Sequence, residues 1–158
     1  MKKLSQIVEV FDSHYPYSVD DDGGRRTDYS FKTEKGTAYK VYISAPCHSD
    51  YNHELEFNAR STPQKSVKNS IGVNNAEGAS SHKVFGTVKK ITNEYLKKNA
   101  HVPKIEFSNI TGEESRTKLY HHFAKSIDPS YEHHTDKYQD RTNHYFTVKN
   151  PYHKEANK

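Results

Sequence analysis

One cysteine, one methionine and no tryptophan stand in a chain of 158 residues. The lone thiol, Cys47, excludes an internal disulfide and any CxxC zinc or redox motif, and it points to a reducing compartment. Hydrophobic residues make up only 32% of the chain. No apolar run approaches the roughly 20 residues that span a bilayer, so no membrane contact is expected. The opening MKKLSQIVEVFDSHYPY has no continuous apolar core and no small-residue cleavage site, so it does not read as a secretion signal.

What is present argues for a folded domain. Twelve Tyr and seven Phe supply ring surface that disordered chains lack. Tyrosine suits half-buried strand faces, where the ring covers apolar area and the hydroxyl stays wet. The length fits one domain with one core, over residues 1–150, followed by a polar tail at 151–158. A net charge of +4, with eleven histidines beside it, permits weak nucleic-acid binding without implying it.

Periodicity gives the elements. Leu4, Ile7, Val8 and Phe11 predict a short amphipathic helix over 3–12. YPYSVDDDGGRR reads as a loop. Tyr29 and Phe31, then EKGT, then Tyr39, Val41 and Ile43 predict a hairpin with one face inward. HELEFNAR predicts a third strand with Leu55 and Phe57 inward, and Ile71 with Val73 suggest a short fourth. Val84, Val88, Ile91 and Tyr95 mark a helix over 81–98, with Lys97 and Lys98 complementing its negative end. Pro103 precedes a strand carrying Ile105 and Phe107 inward, with Glu106 and Ser108 on the opposite face. Leu119, Phe123 and Ile127 mark a second helix over 112–127, stopped by Pro129. A polar, histidine-bearing loop then leads to a last strand over 143–150. The expected fold is α+β: one mainly antiparallel, twisted sheet covered by two main helices, with a short N-terminal helix.

Two resemblances follow from these segments. GTAYKV, KVFGTV, the strand ending FS, and ESRTKLY are similar to motifs of an uncharacterised family of tailed-bacteriophage proteins. That resemblance implies a phage origin and residence in the host bacterial cytoplasm or the virion. The order of four strands, helix, strand, helix, strand resembles GNAT-type N-acetyltransferases. In that family a loop of pattern (Arg/Gln)-x-x-Gly-x-(Gly/Ala) holds the pyrophosphate of acetyl-CoA at a helix N-terminus. The resemblance places that loop at Asn75, Gly78 and Ser80. Gly78 matches, whereas Asn75, Ser80 and the negative Glu77 depart from the pattern. It also places Tyr120 where a tyrosine protonates the departing thiolate. The plainer reading makes Tyr120 a boundary residue, ring on the core and hydroxyl in water.

Other clusters read as surface. His121–His122 and His133–His134 are adjacent pairs; neighbours on a helix point about 100° apart, so His121 and His122 cannot readily chelate one ion together. A metal site would need assembly across the fold with His144 or Asp136, and none is expected. Cys47 beside His48 lacks the geometry of a nucleophile–base pair. Arg116 and Lys118 read as surface charge, while Asp20, Asp21 and Asp22 lack calcium-loop spacing. Lys40, Tyr42, Arg25 and Arg26 are expected to share an exposed binding surface.

The sequence as a whole therefore predicts a non-enzymatic phage accessory protein without a cofactor, acting by binding a host or virion protein. The alternative is an acetyl-CoA-dependent N-acetyltransferase with Tyr120 and Gly78 in its site. The second alternative is a nucleic-acid-binding module, which the acidic Glu54 and Glu56 disfavour.

Overall fold

In the computed structural model, alternation and helical periodicity become a seven-stranded sheet with two helices against it. The structure describes residues 13–21, 24–46, 52–60, 81–109 and 114–153. The helix expected at 3–12, the strand at 71–73, Asn75, Gly78, Ser80, Cys47 and His48 lie outside these residues.

The strands are β1 (Tyr17–Asp21), β2 (Arg26–Lys32), β3 (Ala38–Ser44), β4 (His53–Arg60), β5 (Lys104–Asn109), β6 (Glu132–Tyr138) and β7 (Arg141–Lys149). The helices are α1 (Ser81–Lys98), between β4 and β5, and α2 (Glu114–Ile127), between β5 and β6. Spatial order is β1-β2-β3-β4-β5-β7-β6, and every neighbouring pair is antiparallel except β4 and β5.

The two-residue period of the strands assigns the faces. Tyr29, Phe31, Tyr39, Val41, Ile43, Leu55, Phe57, Ile105, Phe107, Phe146 and Val148 are all buried on one face. Val84, Phe85, Val88 and Ile91 of α1 and Tyr120, Phe123 and Ala124 of α2 join them in a single core. Rings dominate it. Phe85 meets Phe57 edge-on at 5.5 Å, and Phe107 stacks on Phe146 at 5.2 Å.

The expected β2–β3 hairpin closes through Gly36, whose φ of 82° is a left-handed conformation suited to glycine. The Gly36 amide donates to the Thr33 carbonyl at 2.9 Å, and the Thr33 amide donates to Thr37 at 3.0 Å.

Two strands stand where the sequence predicts loops. Tyr17–Asp21 pairs with β2, and Glu132–Tyr138 pairs with β7. Both are edge strands. Residues 132–137 of β6 are all exposed, so no apolar alternation is required of them, and their charges discourage pairing with another chain.

The closing segment is pinned by Asn150, which is 5% exposed. Its side-chain amide donates to the carbonyls of Leu96 at 3.1 Å and Val102 at 2.8 Å. The Leu96 carbonyl lies in the last turn of α1, where carbonyls have no partner within the helix, and Val102 lies in the segment between α1 and β5. Its own carbonyl accepts from the Tyr152 amide at 2.9 Å, and His153 lies 2.9 Å from the Ala100 carbonyl. The chain thus folds back on α1 as far as His153.

Candidate functional site

β4 and β5 are neighbours, yet they pair at only two positions, His53 with Ile105 and Glu54 with Glu106. Beyond those pairs the strands part. Every antiparallel pairing in the sheet runs over at least four registered positions, so this seam is the interruption in the ladder. Its closed end is secured by His53, whose Nδ1 lies 3.0 Å from the Tyr95 hydroxyl of α1. Burial, reinforced by His101, holds the His53 pKa below the ordinary histidine value.

A small cavity of about 90 Å³ opens at the seam, lined by Glu54, Leu55, Glu56, Glu106, Phe107, Ser108 and Tyr145. Period-two alternation puts the three glutamates on the face away from the helices. The core face of the same seam is aromatic. Tyr120 lies beneath it, with its ring 6.2 Å from Phe57 of β4 and 6.1 Å from Phe107 of β5. Phe85 and Phe146 complete the surround at 5.5 and 6.1 Å.

Tyr120 is therefore not a boundary residue. It is 1% exposed, and its hydroxyl oxygen is buried with the ring. The sequence reading assigned the hydroxyl to water because Tyr120 neighbours Leu119 on an amphipathic helix. The structure turns Tyr120 wholly inward and leaves Leu119 partly buried. The seam itself was not foreseen. Alternation in KIEFSN placed Glu106 and Ser108 on one face, but nothing local to either strand marks them as parallel neighbours.

The expected binding surface is assembled only in part. Tyr42 and Lys40 lie on the outer face of β3, and the Lys40 charge is already engaged. The Lys40 ammonium pairs with Asp20. That hydrogen bond lowers the Asp20 pKa against the opposing effect of burial. Arg26 binds Asp28 at 2.8 Å and lays its guanidinium 4.7 Å from the centre of the Tyr42 ring. Arg25 is exposed in the β1–β2 turn. A shallow groove of about 510 Å³ near Tyr17, Ser30 and Lys32 borders the same region, and the Lys40 on its rim is the ammonium held by Asp20.

The histidines also differ from expectation. His133 Nε2 and His144 Nδ1 lie 3.0 Å apart, and the His121 ring packs edge-on at 4.4 Å from that of His133. Among the described residues, no three His, Cys, Asp or Glu side chains are disposed to hold a metal ion. No described helix is long and apolar enough to cross a membrane.

No protein-family model matches the chain, and no curated protein does. Among solved structures, it is similar to the ribosomal-protein-S18-alanine N-acetyltransferase from Escherichia coli, with 11% identity and a TM-score of 0.45. That match covers 82% of this chain and 72% of the other. A spermidine N-acetyltransferase chimera from Vibrio cholerae gives 9% identity and a TM-score of 0.44, covering 80% and 68%. At these values the likeness lies in the order of strands and helices, and no residue role is taken from it. The expectation of a non-enzymatic phage accessory protein acting by protein binding is corrected by these findings. The two solved structures named above are N-acetyltransferases, and on the surface assigned to partner binding Lys40 and Arg26 are engaged in ion pairs.

Proposed function

We propose that the protein is an N-acetyltransferase that takes its acetyl group from acetyl-CoA. One observation carries the reading: two parallel neighbours, β4 and β5, pair at two positions and then part, with Tyr120 on one side and three glutamates on the other.

A strand edge beside a gap offers N–H and C=O groups to an added strand. An extended arm bearing amides, as in pantetheine, satisfies them as an added strand would. The residues present fit the cofactor on that ground. β4 beyond Glu54 would hold the arm. The segment with Asn75, Gly78 and Ser80, directly before α1 in sequence, would receive the phosphates at a helix N-terminus. Acetyl-CoA supplies an acetyl group activated as a thioester.

The remaining chemistry falls to the chain. Glu54, Glu56 and Glu106 attract a protonated amine to the gap, and a carboxylate there takes up the proton the amine must lose before it attacks. Tyr120, packed against both strands, supplies a proton to the leaving sulfur from a site shielded from bulk water.

The test is thermal unfolding with acetyl-CoA and, separately, free CoA. Ligand at about 100 times its Kd stabilises the native state by about 2.7 kcal/mol. For a domain of this size that raises Tm by about 5–10 °C. The rise is expected to vanish in Gly78→Glu, which places a second carboxylate where phosphates would sit. An unchanged Tm at millimolar ligand overturns the proposal.

A further inference from the structure

Three histidines from three elements converge at the far edge of the sheet: His121 of α2, His133 of β6 and His144 of β7. The His121 and His133 rings lie 4.4 Å apart at 68°, and those of His133 and His144 stack 5.2 Å apart at 8°. Phe146 lies 4.9 Å from both His121 and His133 and forms the apolar floor of the group. His121 Nδ1 is also 2.7 Å from the Tyr131 hydroxyl in the turn between α2 and β6. We propose that these three histidines form an acid-sensitive clasp, which fastens the edge of the sheet at β6 and β7 to the His121 face of α2 at neutral pH and loosens that edge as the pH falls. The proposal does not depend on the transferase reading.

Proton accounting gives the mechanism. Neutral His133 and His144 share one hydrogen bond at 3.0 Å, one nitrogen donating and the other accepting. A single proton on the pair preserves that bond. A second proton puts a hydrogen on both facing nitrogens, so the bond becomes a clash between two cations. A proton on His121 adds a third charge about one ring width away. The His121–Tyr131 contact survives protonation, because the hydroxyl can then accept.

Among the described residues, the surroundings contribute no counter-charge. Among the described side chains of α2, the neighbouring charged or titratable groups are His122, Lys118 and Lys125, all exposed and none an anion. On β6, Lys137 shares the His133 face and is a cation, while Glu132, His134 and Asp136 stand opposite Thr147, Tyr145 and Asn143, on the other face of the sheet. On β7, Tyr145 shares that other face and stacks on His134 at 4.8 Å. Burial and the other histidines lower the pKa of His121 and His133. The sign follows. His121 and His133 bind protons more weakly in the folded state than in the unfolded chain, so the clasp is intact above about pH 6.5 and weakens below it.

The experiment is amide hydrogen exchange on the full chain at about pH 7.5 and about pH 5.5, corrected for the intrinsic rate. Exchange in α2 and β6, relative to β2 and β3, is expected to rise about tenfold or more at the lower pH. The double variant His133→Gln, His144→Gln is expected to lose that rise. A uniform change across the sheet, or a rise that survives in the double variant, overturns the clasp. Nuclear magnetic resonance titration of the unmodified chain covers the case in which the variant does not fold. His121 and His133 are expected to titrate below about 6.5, the value for an unperturbed imidazole. Titration at or above that value contradicts the proposal.

Discussion

The sheet is two antiparallel blocks joined edge to edge. In β1–β4, each strand is registered with the next over most of its length, and seven positions pair across β3 and β4. In β5–β7, six positions pair β5 with β7 and seven pair β6 with β7. Between the blocks there are two. Inside each block backbone bonds dominate, whereas at the seam side chains take over: Phe57, Phe107, Phe146, Tyr120 and Phe85 pack across the gap. A fold that held its halves together by ladder alone would have no place for a ligand between them. This one closes the core side with rings and leaves the outer side to three carboxylates.

The sharpest way to break this arrangement is to remove a ring at the seam. Phe107→Ala is expected to cost about 3–5 kcal/mol, because Phe107 is 2% exposed and contacts Tyr120, Phe123 and Phe146. Urea unfolding measures it. A cost under about 1 kcal/mol would mean that the ladders, not the rings, hold the blocks together.

Tyr120→Phe separates chemistry from packing at the same place. Stability is expected to change by at most about 1 kcal/mol, since the ring is kept. The rate of acetyl transfer is expected to fall by about 10²–10⁴-fold. CoA release in steady state measures the rate, and an unchanged rate assigns Tyr120 to packing.

Away from the seam, Asn150→Ala is expected to cost about 1–3 kcal/mol by leaving the Leu96 and Val102 carbonyls buried and unbonded. It is expected to leave acetyl-CoA binding unchanged, which thermal shift with ligand checks.

The smallest effect is a pH slope. His53 at the closed end of the seam has a pKa lowered by burial first and by His101 second. The unfolded chain binds that proton more readily, so its contribution is complete above about pH 6.5 and is lost as the pH falls further. His53→Gln is expected to flatten part of the stability slope between about pH 7 and about pH 5 while leaving exchange in β6 unaltered. Unfolding curves across that range measure it.

Most of the two blocks was legible in the chain, and the join between them was not. Alternation in Tyr29–Phe31, Tyr39–Val41–Ile43 and Leu55–Phe57 is a local signal, because each strand buries one face regardless of its partner. The stripe of Val84, Val88 and Ile91 likewise gives α1 with the bounds the structure has. β1 and β6 escaped for the opposite reason: an edge strand with exposed side chains carries no burial pattern to read. The seam depends on β4 and β5 meeting across a long sequence separation, and on where their pairing stops. No stretch of either strand records that. Tyr120 was legible as a position in α2, but whether its hydroxyl faces water or core is decided by Phe57 and Phe107, on strands that only the folded sheet brings together. The same holds for His121, His133 and His144, conspicuous in the chain and joined only by topology.

The most direct test of the central claim is hydrogen exchange with and without saturating acetyl-CoA. If the seam is the cofactor site, the ligand slows exchange at the β4 amides beyond Glu54 that face the gap, and leaves the β2–β3 hairpin unchanged. Unaltered exchange along β4, or protection confined to another part of the sheet, would contradict the account.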